Sequence, residues 1–154
     1  MKSNTIVIGC DDAAVDMKKQ IIELLKSKNI KVEDMGVFGS EESTLYPLVA
    51  KKVCEEIIKS DYKKDGILIC GTGIGMAMTA NKFKGIRAAV CHDNFSAERS
   101  RLSNDANVLC MGARVIGIEL AKKITQEWIS LEFVDGRSTS KVNAIKDIDT
   151  ANIC

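Results

Sequence analysis

Short apolar runs alternate with longer amphipathic segments along the chain. Ile6, Val7 and Ile8 form one such run, closed by Gly9 and Cys10, and predict a first strand over 5–10. Residues 14–26 follow with helical spacing, setting Val15, Met17, Ile21, Ile22, Leu24 and Leu25 against Lys18, Lys19 and Glu23. A second strand is predicted over 30–35, ending at Gly36, and residues 38–45 read as a polar loop. Pro47, the only proline, suits the first turn of a helix continuing over 48–59. The apolar run from Gly66 to Ile69 predicts the third strand, and an alanine-bearing run over 76–80 predicts a helix. Further strands are predicted over 85–91 and 107–112, and further helices over 96–102, 116–131 and, more weakly, 140–148. Strands that alternate with helices through short turns imply a parallel sheet covered on both faces. No linker or repeat interrupts the pattern, so residues 1–154 are expected to form a single domain.

Between the third strand and its helix stand Cys70, Gly71, Thr72, Gly73, Ile74 and Gly75. Alternate glycines let the backbone bend tightly and bring N–H groups close to a ligand. The N-terminus of the helix behind them favours an anionic group. The spacing is neither the dinucleotide fingerprint nor a phosphate-binding loop followed by Lys-Ser/Thr. Taken alone, this stretch is either a loop holding a small anionic or polyhydroxylated ligand beside a thiol, or a tight turn.

Charge and cysteine content narrow the picture. Lys and Arg number 22 against 21 Asp and Glu, a net charge of +1, which gives no reason to expect nucleic acid or an anionic membrane as partner. No apolar run approaches the ~20 residues of a membrane-spanning helix. The first residues lack the apolar core and cleavage site of a signal peptide, which points to the cytoplasm. The six cysteines (Cys10, Cys54, Cys70, Cys91, Cys110 and Cys154) contain no C-x-x-C pair, and His92 is the only histidine, so no zinc spacing exists. Cys10, Cys91 and Cys110 lie at or near the ends of apolar runs and read as small buried side chains. Only Cys70 adjoins a glycine loop.

Ligands of open parallel sheets bind outside the carboxyl ends of the strands. Asp11 and Asp12, the Cys70 turn, and His92 with Asp93 all fall there by this assignment. Asp11 and Asp12 suit sugar hydroxyls or proton transfer, or equally a helix cap and first-turn acid. Arg137 and Lys141, four residues apart, could clamp a phosphate or be solvated surface charge. Arg114 follows the fifth strand and is in reach of the same edge. Ser103, Asn104 and Asp105 suit a binding loop or an ordinary turn. His92 is expected to be a hydrogen-bonded strand-end histidine. For Cys70 to act as a base it needs thiolate character, and a free thiol near pKa ~8.5 is a few per cent thiolate at neutral pH. A helix N-terminus raises that fraction. Removal of a proton α to a carbonyl, with backbone N–H groups holding the enediolate oxygens, then becomes feasible.

The same residues carry a family resemblance. Gly9 to Asp11, Tyr46-Pro47, Cys70 to Gly75, Ala80 to Lys82, Gly85 to Ala88, Ser96-Ala97, Asn104 to Leu109, Arg114 and Gly136-Arg137 together resemble ribose-5-phosphate isomerase B and the related galactose-6-phosphate isomerase subunits, in order over nearly the whole chain. The resemblance implies an aldose–ketose isomerase of phosphorylated sugars in carbohydrate metabolism such as the pentose phosphate pathway, with no metal and no cofactor. It implies a three-layer α/β/α Rossmann-like sandwich with a five-stranded parallel sheet. It also implies a homodimer or dimer of dimers with the site at the dimer interface, and the last helix, about 140–150, packing on the partner. Cys70 matches the base of one branch of the family; the other branch uses a glutamate at the position of Met76. Thr72, Gly71, Gly73, Ile74 and Gly75 match the enediolate-binding turn. Asp11, Tyr46 and Asn104 match substrate-side positions, and Arg114, Arg137 and Lys141 (where arginine is usual) match the basic residues that hold substrate and phosphate.

The chain departs from the family at Asp12 and Ser103, where histidines are usual, the second being the family's ring-opening acid. Ser138 likewise replaces a histidine after Arg137. A substrate that cannot close a stable ring, such as a tetrose 4-phosphate, needs no such acid. The sequence thus favours a cysteine-based sugar-phosphate isomerase with a shifted substrate. A galactose-6-phosphate isomerase subunit and a non-catalytic sugar-phosphate-binding protein are the alternatives.

Overall fold

The computed structural model describes residues 4–152; Met1, Lys2, Ser3, Ile153 and Cys154 lie outside the described residues. Five strands form one sheet: β1 (Thr5–Cys10), β2 (Lys31–Asp34), β3 (Asp65–Cys70), β4 (Ala88–Val90) and β5 (Val108–Gly112). All ladders are parallel, in the order β2-β1-β3-β5-β4. Six helices connect and follow them: α1 (Val15–Ser27), α2 (Tyr46–Lys59), α3 (Ile74–Ala80), α4 (Asn94–Leu102), α5 (Ile118–Ser130) and α6 (Thr139–Ala151). Right-handed crossovers put α2 and α3 in one layer and α1, α4 and α5 in the other. The central strands are therefore buried on both faces, and Ile6, Val7, Ile8, Ile67, Leu68 and Ile69 are all 2% exposed or less. That double burial is why these strands read as continuous apolar runs. No described helix is long and apolar enough to cross a membrane.

The predicted strand over 85–91 shrinks to Ala88–Val90. Gly85 turns the chain at φ +75°, and side chains replace strand partners at the strand's start. The Arg87 N–H donates to Asn107 Oδ1 at 2.7 Å. Asn81 accepts from the Ala88 N–H at 2.8 Å and donates to the Ala88 carbonyl at 2.9 Å. Helix α3 begins two residues earlier than its apolar run, because Gly73 takes the left-handed conformation and lets the helix start at once. Asp93 caps α4, accepting from the Ser96 N–H at 2.7 Å.

Two buried cations tie the layers together. Lys18 of α1, 1% exposed, donates to Asp34 at 2.6 Å and to the Val37 carbonyl at 2.7 Å, fixing the segment after β2. Arg101 of α4 lies 3.9 Å above the Trp128 ring of α5. It donates to Asp65 at 2.6 Å and to the Ala106 carbonyl at 2.7 Å, so the foot of β3, the lead into β5 and two helices share one guanidinium. His92, just past β4, accepts from the Gly112 N–H at 2.8 Å through Nε2 and so ties the ends of β4 and β5 together. Burial holds its imidazole below the usual histidine range, with the Asp93 carboxylate partly opposing.

Replacing Arg101 with Met leaves the Asp65 carboxylate without its cation and is expected to lower stability by about 3 kcal/mol, read from the urea unfolding midpoint. The His92 linkage has its own signature. The folded state holds the imidazole neutral, so its contribution is present above the unfolded pKa of about 6.5 and is lost as pH falls through the lower folded value. His92 is the chain's single histidine. The urea midpoint is therefore expected to fall as pH drops below about 6.5, and His92→Gln, which keeps an acceptor without a titrating group, is expected to flatten that fall.

Candidate functional site

β1 and β3 lie side by side, and their outgoing connections leave to opposite sides of the sheet. This is the topological switch point, where an open α/β sheet has a crevice at its carboxyl edge. Asp11 follows β1 there and Cys70 ends β3, and the Asp11 N–H donates to the Ile69 carbonyl at 3.1 Å across the gap.

The turn after Cys70 is held by contacts that need glycine. Gly73 has φ +77°, and a Cβ on it would stand 2.9–3.1 Å from the Met111 backbone. A Cβ on Gly112 would stand 2.7 Å from the Thr72 backbone. The closely apposed chains are joined by Ala113 N–H to Cys70 carbonyl at 2.8 Å and Arg114 N–H to Gly71 carbonyl at 3.0 Å. The Arg114 side chain consequently lies over Gly71, and the Tyr46 ring, from the first turn of α2, lies over Gly75.

Cys70 is 5% exposed, and its Sγ accepts the Gly73 N–H at 3.1 Å. Thr72 is exposed; its Oγ1 accepts the Ile74 N–H at 3.3 Å, which leaves its O–H free to donate outward. Among the described residues the N–H groups of Gly71 and Thr72, the next two along the chain from Cys70, have no hydrogen-bond acceptor. Ile74 is exposed on the same turn. Asp11 caps the 3-10 turn of Asp12–Ala14, accepting from the Ala13 N–H at 3.0 Å. Burial raises its carboxyl above the usual range; the Ala13 N–H opposes this, the Asp12 charge adds to it, and Arg114 opposes it. Cys70, Gly71, Thr72, Gly73, Ile74, Gly75, Tyr46, Asp11 and Arg114 thus form one group around a thiol. It offers N–H and hydroxyl donors, a guanidinium, and a carboxyl for hydroxyl contacts.

Of the other residues singled out from the sequence, Asp12 borders this group through Asp11, and Ser103, Asn104, Arg137 and Lys141 line other clefts. Asp12 is exposed and opens onto a polar groove with Asp16, Lys19 and Glu41. Ser103, Arg137 and Lys141 line a cleft of about 360 Å³ together with Arg99. Asn104, the next residue after Ser103, faces a different cleft of about 480 Å³, between β4 and α6. Among the described residues no hydrogen bond or ion pair joins these residues to the Cys70 group. Arg99 was not singled out from the sequence. Its spacing of four before Ser103 would have placed both on one face of α4.

The remaining described cysteines are free and buried. Burial pushes the Cys10 and Cys54 thiols up to about 12, and raises Cys91 and Cys110 as well, so they stay protonated packing groups. Met76, at the position of the other branch's glutamate, is fully buried under the turn. Among the described residues no cluster of three or more His, Cys, Asp or Glu side chains is placed to hold a metal ion.

The chain is similar to known proteins over almost its full length. Residues 6–145 match the family model described as Ribose/Galactose Isomerase. A protein named Ribose-5-P isomerase B from Listeria innocua is 51% identical over 147 residues, covering 96% of this chain and 98% of the relative. One named D-erythrulose-4-phosphate isomerase from Pectobacterium atrosepticum is 48% identical over 141 residues, 92% of each. The solved structure of Clostridium thermocellum ribose-5-phosphate isomerase B superposes with a TM-score of 0.91 at 40% identity, over 97% of this chain and 99% of that one. With the α/β sandwich, the switch-point thiol and these likenesses together, the chain belongs to the ribose/galactose isomerase family.

Proposed function

We propose that this chain is a cytoplasmic aldose–ketose isomerase of a small phosphorylated sugar, with Cys70 as the base. The observation that carries the proposal is the Cys70 sulfur at the β1/β3 crevice, 3.1 Å from the Gly73 N–H, in a turn whose Gly71 and Thr72 N–H groups have no acceptor among the described residues. The thiolate removes the proton from the carbon next to the carbonyl and returns it to the neighbouring carbon. The enediolate oxygens formed between these steps are held by the turn's N–H groups and the Thr72 hydroxyl. Asp11, its carboxyl raised by burial, and Arg114 contact the sugar hydroxyls.

The phosphate goes to the cleft of Arg137 and Lys141. Because these residues and the Cys70 group are not joined within one chain, the site is completed across a homodimer, each subunit supplying the basic cleft for the other's thiol. Helix α6 suits a place in that interface. Of its described residues only Val142 is buried, while Ile145 and Ile148 stand exposed along an apolar cleft with Ile86, Ala88 and Ala89.

The substrate is shifted toward a tetrose 4-phosphate. Ser103 and Asp12 leave no imidazole to open a sugar ring, and His92 is engaged by Gly112. The likeness to proteins named D-erythrulose-4-phosphate isomerase, from Pectobacterium atrosepticum and, at 46% identity, from Mycolicibacterium smegmatis, supports this substrate class.

Cys70→Ser is expected to lower kcat by roughly 10²–10⁴-fold while sugar-phosphate binding persists; retention of turnover would remove Cys70 as the base. In a coupled assay, kcat/KM for D-erythrulose 4-phosphate is expected to exceed that for ribose 5-phosphate. The reverse order would remove the substrate shift and leave the isomerase assignment intact.

A further inference from the structure

The cleft at the end of α4 contains a cation that nothing above uses. Its lining carries Arg99, Arg137 and Lys141 and no carboxylate. Arg99 Nε is shut off from solvent and has no hydrogen-bond partner. The Glu98 carboxylate comes within 3.2 Å of it but out of line for a hydrogen bond. The Arg99 side chain as a whole is 41% exposed, so the Glu98 charge is partly screened and the guanidinium remains accessible to an anion in the cleft. Ser103, at the C-terminal cap of the same helix, lines this cleft with Arg99 and adds only a short hydroxyl side chain to it. Arg99 and Arg137 present planar forks suited to oxyanions, and Lys141 adds a point charge. Three positive groups, one of them already beside the Glu98 carboxylate, surround about 360 Å³ of polar-lined space, a setting that suits a phosphate monoester dianion.

We propose that Arg99 is a third phosphate-binding residue, which sets the preference of this cleft for phosphorylated over unphosphorylated sugar. The proposal rests on the assignment of the cleft to the substrate's phosphate, made above. The alternative for Arg99 is purely local: a cation near the C-terminal end of α4, where the helix dipole favours one. That role would affect stability and leave anion binding alone.

The test separates these roles, and separates both from the isomerase assignment, by measuring binding without turnover. Inorganic phosphate, D-erythrulose 4-phosphate and unphosphorylated erythrulose are titrated calorimetrically into the full-length Cys70→Ser protein. The same titrations are made with Arg99→Gln, Arg99→Lys or Arg137→Ala added. Arg99→Gln is expected to weaken both phosphorylated ligands by about tenfold, leave erythrulose unchanged, and be partly rescued by Arg99→Lys. In the Cys70-containing enzyme the same substitution is expected to raise KM with little change in kcat. Phosphate affinity within twofold of the parent for a folded Arg99→Gln protein would overturn the proposal, and so would a parent that binds no phosphate. Absence of turnover on every sugar phosphate, with the Arg99 dependence of phosphate binding intact, would overturn the isomerase assignment alone.

Discussion

The close approach of the β3–α3 turn to the end of β5 is the contact on which the rest of the site depends. It is possible only because Gly73 and Gly112 lack side chains: a Cβ on either would fall within about 3 Å of the opposing backbone. With that space available, Ala113 and Arg114 hydrogen-bond to the carbonyls of Cys70 and Gly71. Those bonds fix the turn so that the Gly73 N–H meets the sulfur, and they deliver the Arg114 side chain over Gly71. His92 holds the same junction from the far side through Gly112. The thiol's surroundings are therefore set by backbone geometry more than by side-chain choice, and a fully buried apolar residue such as Met76 can occupy the first turn of α3.

The proposed function assigns its chemical tasks to two separate regions. The Cys70 group combines a nearly buried sulfur, backbone donors and one guanidinium, a setting suited to charge that appears briefly on oxygen during proton transfer. The cleft at the end of α4 is more open and carries permanent positive charge, suited to an anion that does not change during the reaction. Binding energy from a non-reacting phosphate can then orient the carbon skeleton at the thiol. Under the proposed function, altering Ser103 or Arg99 changes the cleft without touching the Cys70 turn.

Much of the fold could be read directly from the sequence, for a physical reason. Runs such as Ile6 to Ile8 and Ile67 to Ile69 are buried on both faces, so their composition alone marks strands of a covered parallel sheet. The glycine turn was equally legible, since three alternate glycines after an apolar run leave few other conformations. Features that depend on a distant side chain were not. The start of β4 is set by Asn107 and Asn81, which stand in for strand partners. Lys18 and Arg101 look like surface charges on their helices and are among the most buried side chains. Ser103 and Asn104 are adjacent in sequence yet open onto different clefts, and the spacing of Arg99 from Ser103 gave no sign that both share a cleft with Arg137.

Asn81 has a further consequence. β4 is the sheet's outermost strand on its side, and the Ala88 N–H and carbonyl are engaged by the Asn81 amide rather than by another strand. The amide imitates one rung of a ladder and then ends it. A foreign strand therefore finds no template at that rung, which protects an edge three residues long from sheet-to-sheet aggregation. Two copies meeting near this edge must recognise each other through side chains, and side-chain surfaces, unlike a free strand edge, accept one partner and refuse others.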